Sequence, residues 1–458
     1  MSKKLNKKIH FIGIGGAGMM PLAIHCKKLG YDVVGSDLLN DSFNILNQVG
    51  IFPIQGHTSK LEDVDIVIYS AAVKRDNYEY TLAKVKELEL YKRAEFLGQL
   101  TKASHSILIS GSHGKSTTSV MLADMLYKDP DFNITAIIGA ESVRLNSNYY
   151  EGDDKYLIVE ADEYDKSFLK MYPKDLIVLN IDNDHLDIYG DINGLIDGFK
   201  ELISKLNEDS FLIHNADDDN IISAIENSQA KLISFGLNND SKYKAINISY
   251  SNFGTEFDLM QNGIYLAKIE YTYSGKHNVY NMLSCLALLA EYGFTGEELK
   301  EMATNFKGLK RRQEIIYKDE NIILMDDYAH HPTEVLNSLD NIRENHKGRI
   351  VVMFQPHLFS RTKEHLNEFA KCFEKADKIF ISHIYPAREK FDPSITSKRI
   401  YDLMDDETKR KSEVYQSFEE IYERVSKKKK NGDLIVSMGA GDINKVIYKL
   451  KSSIVKKI

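Results

Sequence analysis

The stretch 107–118 holds the residues whose types and spacing most clearly suggest chemistry, and it reads Ile-Leu-Ile-Ser-Gly-Ser-His-Gly-Lys-Ser-Thr-Thr. Its apolar start predicts a buried strand at 107–109, and a predicted helix begins at Ser116. Between them, Gly111 and Gly114 let the backbone turn its N–H groups toward the positive end of the helix, where phosphate binds. We therefore predict a phosphate-binding loop.

Within this loop, Lys115 is predicted to reach the β- and γ-phosphates of a nucleotide, and the hydroxyl of Ser116 or Thr117 to hold magnesium. The match is incomplete, because the usual spacing would place a further glycine where Ile109 stands. The strand before the loop and the helix after it still favour a functional loop over a chance glycine turn.

Two further predicted strands, at 156–159 and 176–180, end in polar residues. An acidic run beginning at Glu160 follows the first, and His185 lies beyond the second. Residues past the carboxyl ends of parallel strands face the ligand crevice. We expect these two strands to be adjacent, so that Glu160 and His185 join Lys115 around a magnesium nucleotide, although the acidic run could instead be a solvated loop.

A second glycine-rich turn, Gly-x-Gly-x-x-Gly at 13–18, lies between a predicted strand at 8–13 and a predicted helix at 19–29. A strand predicted at 31–35 leads to Asp37, at the distance where a dinucleotide fold contacts a ribose. Backbone N–H groups at a helix start bind any diphosphate. The residues therefore allow NAD and a UDP-sugar equally, and a turn without ligand remains open.

Later in the chain, short runs of alternating apolar and polar residues over 211–263 predict a surface sheet. An apolar helix is predicted to begin within 274–281, and Asn278 and Asn281 share one of its faces. A boundary near 308–313 precedes a new set of βα units. Their predicted strands, each followed by a polar cluster, are 322–325, 349–354, 378–382 and 433–437.

Length and composition narrow the class of protein. A chain of 458 residues predicts about three domains at ~150 residues each, and the net charge of -8 argues against a nucleic-acid binder. Three widely spaced cysteines indicate neither a disulfide framework nor a zinc site, which fits a reducing cytoplasm. The apolar stretch 9–24 contains four glycines and Pro21, which argues against a secretory signal, and no segment reaches the ~18 apolar residues of a membrane span.

Ten pieces in chain order make the sequence resemble the Mur ligases, the amino-acid ligases of peptidoglycan synthesis, over nearly its whole length. The pieces are Gly13 to Met19, Arg93 to Glu95, Gly111 to Thr118, Glu160 to Asp165, Asp184-His185 with Tyr189-Gly190, Gly275 to Asn281, Lys310 to Arg312, Asp326 to Glu334, Phe354 to Thr362 and Met438 to Asp442.

The resemblance implies an α/β fold of three domains. These would be an N-terminal Rossmann-like UDP-binding domain at 1–103, a central P-loop ATPase-like domain with a mostly parallel sheet at 104–312, and a C-terminal Rossmann-like amino-acid-binding domain at 313–458. It also implies ATP and Mg²⁺ as cofactors, UDP-N-acetylmuramate and L-alanine as small-molecule substrates, no nucleic-acid or membrane partner, and a monomer or homodimer in the cytoplasm.

The family's residue roles carry over position by position. The UDP-sugar would be bound by Gly13, Gly15, Gly16, Ala17, Gly18, Met19, Asp37, His57, Ser70, Ala71 and Arg93. ATP would be bound by Gly111, Ser112, His113, Gly114, Lys115, Ser116, Thr117, His277, Asn278 and Asn281. Magnesium would be held by Thr117, Glu160 and His185, and the incoming amino acid by Tyr328, His330, His357 and Arg361. The catalytic residues would be Lys115, Glu160, His185, Arg312 and Asp327.

Three positions affect the choice of substrate within the family. Leu358 stands where the alanine ligases usually carry an arginine, which leaves open how the amino-acid carboxylate is held. Tyr164 and Ala329 resemble the related ligase of cell-wall recycling, which joins a ready-made tripeptide to the same UDP-sugar. Outside the family, the alternatives are an NAD-dependent oxidoreductase with a second nucleotide domain and a non-catalytic nucleotide sensor, but both leave the polar clusters of the C-terminal third unexplained.

Overall fold

The computed structural model describes residues 7–182, 186–251, 253–387 and 389–455. The chain forms two compact units. The first comprises the described residues of Met1–Ser249 and Thr255–Lys307, and the second those of Tyr250–Gly254 and Gly308–Ile458. The first unit contains two sheets and the second contains one, which confirms the predicted α/β class with mostly parallel strands. The domain boundaries at 103/104 and 312/313 stay predictions.

The N-terminal sheet is entirely parallel, with the strand order β3-β2-β1-β4-β5. Its strands are β1 (Lys8–Ile12), β2 (Asp32–Asp37), β3 (Ile54–Gln55), β4 (Ile66–Tyr69) and β5 (Glu89–Lys92), and its helices are α1 (Met19–Lys28), α2 (Phe43–Gln48), α3 (Tyr78–Val85) and α4 (Arg93–Ala103). The strand order reverses at β1, so the glycine turn after β1 lies at the switch point where such sheets bind ligands. Most of the apolar stretch 9–24 is buried in β1 and the first turns of α1, and the glycine turn 13–18 joins the two elements.

Among the described residues, the central sheet has ten strands in the order β15-β14-β13-β12-β11-β10-β6-β9-β7-β8. The strands are β6 (His105–Ser110), β7 (Thr135–Ser142), β8 (Ser147–Tyr150), β9 (Tyr156–Glu160), β10 (Asp175–Val178), β11 (Phe211–Asn215), β12 (Lys231–Gly236), β13 (Tyr243–Ser251), β14 (Gly254–Gln261) and β15 (Ile264–Tyr271). The helices are α5 (Lys115–Leu126), α6 (Leu186–Tyr189), α7 (Ile192–Ile203), α8 (Asp219–Ile225), α9 (Lys276–Glu291) and α10 (Gly296–Ala303), with a 3₁₀ segment at Tyr164–Lys170.

The sheet of the second unit has the strand order β16-β17-β21-β18-β19-β20, and β16 is its antiparallel edge. The strands are β16 (Glu314–Lys318), β17 (Ile322–Asp327), β18 (Ile350–Phe354), β19 (Lys378–Ile381), β20 (Ser412–Val414) and β21 (Asp433–Met438). The helices are α11 (Pro332–Asn345), α12 (Phe359–Glu364), α13 (Leu366–Phe369), α14 (Ser397–Leu403), α15 (Asp406–Lys411), α16 (Phe418–Lys428) and α17 (Asn444–Val455).

The expectation of a surface sheet over 211–263 is wrong in its first part. β11 is parallel, pairs with β10 inside the central sheet, and is followed by α8. Asp218 caps α8 by accepting the backbone N–H groups of Asn220 and Ile221. Asn and Asp side chains favour turns and helix starts alike, and in this segment they begin a helix. In the described residues, every helix is too short or too polar to cross a membrane.

Candidate active site

The predicted phosphate-binding loop follows β6, whose neighbours in the sheet are β9 and β10. Gly111 and Gly114 have φ angles of 139° and 85°, which residues other than glycine rarely adopt. A Cβ at Gly114 would lie 2.6 Å from Oδ1 of Asn281, so that position has no room for a side chain. Helix α5 begins at Lys115. The predicted strand, loop and helix are confirmed.

Asn180 supports the loop, and sequence reasoning did not select it. Its Oδ1 accepts the backbone N–H of His113 at 2.7 Å, and its Nδ2 donates to the carbonyl of His113 at 3.1 Å. Its own carbonyl accepts the N–H of Ser112 at 3.0 Å. Its place at the end of a predicted strand was the available signal, but the sequence does not say which loop lies opposite.

Lys115 is bound by Glu163, a second residue that the sequence analysis did not select. Lys115 Nζ donates to Glu163 Oε2 at 2.8 Å and Oε1 at 3.1 Å, and to the carbonyl of Gly111 at 2.8 Å. Glu163 is fully buried. Burial raises the pKa of its carboxyl, and the charge of Lys115 opposes that rise. The chain's own carboxylate therefore neutralises the cation that is expected to bind phosphate.

Glu160 lies beside the start of α5. Its Oε2 accepts from the Ser116 hydroxyl and its Oε1 from the Gly139 N–H, both at 3.1 Å. Burial raises the pKa of this carboxyl, and these hydrogen bonds and the charges of Arg93 and Lys115 oppose the rise. Thr117, the other hydroxyl candidate, is half-buried in the first turn of α5.

These oxygen atoms fit magnesium, which typically takes one or two protein oxygen ligands and completes its shell with phosphate and water. In the described ranges, no three His, Cys, Asp or Glu side chains are arranged to hold a metal ion. His185, the third predicted magnesium ligand, lies outside the described residues.

The expectation that Glu160 and His185 follow adjacent strands is wrong, because β9 and β10 lie on opposite sides of β6. Both strands are short apolar runs buried in the sheet. Such runs predict burial, but they do not encode which strand becomes a neighbour.

Helix α9 carries the residues assigned to the adenine. His277 is exposed in the first turn, whereas Asn278 and Asn281 are buried. Asn281 Nδ2 donates to Asn278 Oδ1 at 3.2 Å, and Asn278 Nδ2 donates to the Ser274 carbonyl at 2.7 Å. The shared face of the two asparagines is confirmed. Asn281 also lies against the loop at Gly114. That His277, Asn278 and Asn281 bind the adenine stays a prediction.

The N-terminal glycine turn is closed by backbone and carboxylate contacts. The N–H groups of Gly13 and Ile14 donate to the Ser36 carbonyl at 2.8 and 3.0 Å. Asp37, buried as the last residue of β2, accepts the N–H of Gly15 at 2.9 Å. The turn itself therefore uses the carboxylate that the sequence suggested for a ribose.

The remaining UDP-sugar candidates surround this turn. The N–H of Gly16 donates to Gly13, the carbonyl of Ala17 accepts from Asn148, Met19 begins α1, and Ala71 is exposed just after β4. A Cβ at Gly18 would lie 2.8 Å from Nη1 of Arg93, and one at Gly13 would lie 3.6 Å from Oγ of Ser70. The structure thus brings Arg93 and Ser70 to the glycine turn.

His57 is anchored by Glu79, a buried residue that the sequence analysis did not select. Glu79 Oε2 lies 3.0 Å from His57 Nδ1 and accepts from the Ser36 hydroxyl at 2.7 Å, while its Oε1 lies 3.1 Å from His10 Nε2. Burial raises the pKa of Glu79, but the hydrogen bonds from His10, His57 and Ser36 outweigh burial and lower it overall. Through this carboxylate, the ring of His57 is linked to Ser36, whose carbonyl closes the glycine turn.

In the second unit, Arg311 and two carboxylates meet at the carboxyl end of β17. Arg311 Nη2 donates to the carbonyls of Gly439 and Gly441 at 2.6 and 3.0 Å, and its Nε lies 3.3 Å from Asp326 Oδ2. Asp327 accepts from the Ser338 hydroxyl and the Ala329 N–H, and burial raises its pKa to about 6. Arg312, the predicted catalytic arginine, is exposed.

The predicted amino-acid residues do come together. The Tyr328 and His330 ring centroids lie 5.2 Å apart, and those of His330 and His357 lie 5.7 Å apart. Arg361 Nη1 lies 3.4 Å from His357 Nδ1. Leu358 has a φ of 71°, and its N–H donates to the Tyr385 carbonyl, while the Tyr385 ring stacks on His357. Tyr385 is a further residue of this cluster that sequence reasoning missed.

The sequence also matches three domain models of one protein family. Residues 8–105 match the model "Mur ligase family, catalytic domain", residues 109–289 "Mur ligase middle domain", and residues 311–441 "Mur ligase, glutamate ligase domain". The chain belongs to the Mur ligase family.

Relatives within the family are similar along the whole chain. The UDP-N-acetylmuramate--L-alanine ligase of Caldicellulosiruptor bescii is 39% identical over 98% of this chain and 99% of its own, and that of Clostridium perfringens is 37% identical over 97% of each. The crystal structure of the Thermotoga maritima UDP-N-acetylmuramate-alanine ligase superimposes with a TM-score of 0.83 at 26% identity, over 98% of this chain and 100% of that one.

Proposed function

We propose that the protein joins L-alanine to the lactyl carboxylate of UDP-N-acetylmuramate in an ATP-dependent reaction, giving UDP-N-acetylmuramoyl-L-alanine, ADP and phosphate. The observation that carries this proposal is the end-to-end similarity to alanine ligases, at 39% identity over 98% of the chain. The phosphate loop with Lys115 supports it independently.

Because a carboxylate is a poor electrophile, the reaction proceeds through an acyl phosphate, formed by transfer of the ATP γ-phosphoryl group to the lactyl carboxylate. The loop N–H groups and Lys115 bind the phosphates. The Lys115 ammonium exchanges its contact with Glu163 for one with the transferring phosphoryl group, where it stabilises the negative charge that develops. The glycine turn, Arg93 and His57 hold the UDP-sugar. Catalysis in this step is positioning and electrostatic stabilisation.

Magnesium would be held by Glu160 with a hydroxyl of α5, and by His185. When bound, it would supply positive charge to the phosphate oxygens. Ser116 is favoured over Thr117 by its hydrogen bond to Glu160. ATP and Mg²⁺ as cofactors, a cytoplasmic location and a monomer or homodimer complete the proposal.

The amino acid binds in the second unit, among Tyr328, His330, His357 and Arg361. Burial lowers the pKa of His357 to about 4, so the ring is neutral at pH 7. Arg361 donates to Nδ1 of this ring, which places the proton of the ring on Nε2. His357 Nε2–H and Arg361 are therefore the donors that hold the alanine carboxylate in the absence of an arginine at position 358.

The recycling reaction with a tripeptide is the second candidate, favoured only by Tyr164 and Ala329. Ala329 is buried and Tyr164 is exposed. The similarity to alanine ligases along the whole chain supports alanine over the tripeptide.

Phosphate release with ATP, UDP-N-acetylmuramate and one added amino acid or tripeptide at a time tests the proposal. We expect turnover to require the UDP-sugar and to be fastest with L-alanine. Much faster turnover with the tripeptide would establish the recycling activity instead, and binding of NADH without turnover would favour an oxidoreductase.

A further inference from the structure

His330 lies in a carboxylate–histidine arrangement within the predicted amino-acid cluster. Its Nδ1 is 2.9 Å from the carbonyl of Tyr328 and 3.2 Å from Oε2 of Glu334. The same Glu334 oxygen accepts the backbone N–H groups of His330 and His331 at 3.0 and 3.1 Å. Glu334 is thereby fixed at the start of α11, and it orients the His330 ring.

These contacts determine the tautomer of His330. A carbonyl oxygen only accepts hydrogen bonds, so Nδ1 must carry the proton that it donates to Tyr328. In the neutral ring, Nε2 then presents its lone pair on the opposite side of the ring. The side chain of His330 is 19% exposed, so the ring can be reached from solvent.

The surroundings keep this ring neutral. Burial is the largest effect and lowers the pKa of His330, with Arg361 on α12 and Arg312 before β16 lowering it further. Glu334 on α11 and the Tyr328 carbonyl act in the opposite direction but do not reverse the shift. The neighbouring His357 is itself neutral at pH 7, since burial lowers its pKa to about 4. At neutral pH, Nε2 of His330 is a base available to accept a proton.

We propose that His330 is the general base that deprotonates the ammonium group of the incoming amino acid. The inference rests on the proposed ligase function and assigns the proton transfer that this reaction requires. In many enzymes that use nucleophilic catalysis, a carboxylate orients a histidine whose unprotonated nitrogen acts as the base. Glu334 and Nε2 of His330 have this arrangement.

One N–H bond of the alanine ammonium breaks, its electron pair remains on nitrogen, and the proton bonds to Nε2 of His330. The nitrogen pair then forms the C–N bond at the acyl phosphate, and phosphate leaves with the electrons of the C–O bond. A second N–H proton is released to solvent as the amide forms. Arg312 and Arg361 lower the pKa of an ammonium beside them, as they lower that of His330, which favours this transfer.

The test uses the full-length protein and His330→Asn. The asparagine Nδ2 can still donate to the Tyr328 carbonyl, but the variant has no base at the position of Nε2. Hydroxylamine is the diagnostic second nucleophile, because it is unprotonated at neutral pH and converts an acyl phosphate to a hydroxamate without needing a base.

We expect His330→Asn to slow alanine ligation at pH 7 by about a hundredfold or more, as for general bases elsewhere, while hydroxamate forms from UDP-N-acetylmuramate and ATP within about threefold of the parent rate. Raising the pH toward the pKa of the alanine ammonium group should restore much of the ligation rate, because more of the alanine then arrives as the free amine. His365→Asn is the matched control, since His365 contacts His331 and lies outside the proposed machinery, and it should ligate at the parent rate.

Ligation by His330→Asn at the parent rate at pH 7 would overturn the base assignment. So would an equal loss of ligation and hydroxamate, because His330 would then act before the amine arrives. If the parent protein forms neither product, the proposed ligase function itself is wrong. These results separate the failure of one assignment from the failure of the other.

Discussion

Lys115 and Glu163 form a buried ion pair at the phosphate loop, with 2.8 Å between Nζ and Oε2. In the proposed site, the same ammonium binds the phosphates of ATP. We therefore expect an incoming nucleotide to compete with Glu163 for Lys115.

Replacing Glu163 with glutamine should strengthen ATP binding several-fold, because the amide removes the negative charge that competes with phosphate for Lys115. Calorimetric titration with a non-hydrolysable ATP analogue measures the change in Kd. Asp165→Asn is the matched control, since its carboxylate pairs with Lys92, and its Kd should stay at the parent value. Weaker nucleotide binding by Glu163→Gln would mean that Glu163 supports the nucleotide site instead of competing with it.

Lys115→Met keeps most of the side chain's length and removes its charge. The ammonium interacts most strongly as charge shifts in the transition state, so the chemical step should slow by a hundredfold to a thousandfold, or ~3 to 4 kcal/mol. Single-turnover ADP formation measures this step. Binding of UDP-N-acetylmuramate should stay nearly unchanged. A folded variant that reacts within about threefold of the parent would show that the loop is not the catalytic phosphate cradle.

Ser116→Ala and Thr117→Ala distinguish the two candidate magnesium hydroxyls. Ser116 donates to Glu160 at 3.1 Å, so its loss should raise the Mg²⁺ concentration for half-maximal activity by about tenfold, in line with the removal of a partner from a metal site. Thr117→Ala should raise it by less. Magnesium titrations at saturating ATP make the comparison, and the opposite ranking would assign the metal to Thr117.

Asp124, fully buried on α5, provides a test of stability against pH. Burial raises the pKa of its carboxyl to about 6 from 3.8, against hydrogen bonds from Tyr150 and Ser142. Between pH 3.8 and 6, the folded state therefore binds more protons than the unfolded state. The contribution of Asp124 to the free energy of unfolding is fully present below pH 3.8 and is lost as the pH rises through 6.

Asp124→Asn removes this titration while keeping an acceptor for Tyr150. The stability of the variant relative to the parent should increase from pH 4 to pH 7, by at most on the order of 3 kcal/mol, and then level off. Thermal unfolding midpoints across this range measure it. Asp197→Asn, at an exposed carboxylate, should show no such trend. A difference between Asp124→Asn and parent that does not change with pH would contradict the assignment.

The sequence predicted those parts of the site whose residues act through local backbone geometry. The glycine spacing and the apolar run before it sufficed for the strand, loop and helix around Lys115, because a phosphate loop is a contiguous segment. The pairing of Asn278 with Asn281 followed from helical periodicity in the same way.

Residues that act across the sheet were not predictable. Glu163, Asn180 and Glu79 have partners 48, 67 and 69 positions away along the chain, and their roles depend on strand order, which apolar runs do not specify. The run of cations before β16 shows the same limit. Arg311 binds Asp326 and the glycine carbonyls after β21, a structural role that its sequence position beside Arg312 does not reveal. The catalytic role of Arg312 stays a prediction.

The origin of the oxygen in the released phosphate tests the central claim most directly. UDP-N-acetylmuramate labelled with ¹⁸O in its lactyl carboxylate is incubated with ATP, Mg²⁺ and L-alanine, and the phosphate is analysed by mass spectrometry. Activation through an acyl phosphate predicts one labelled oxygen in each phosphate released, together with UDP-N-acetylmuramoyl-L-alanine. Phosphate without the label would contradict the proposed reaction.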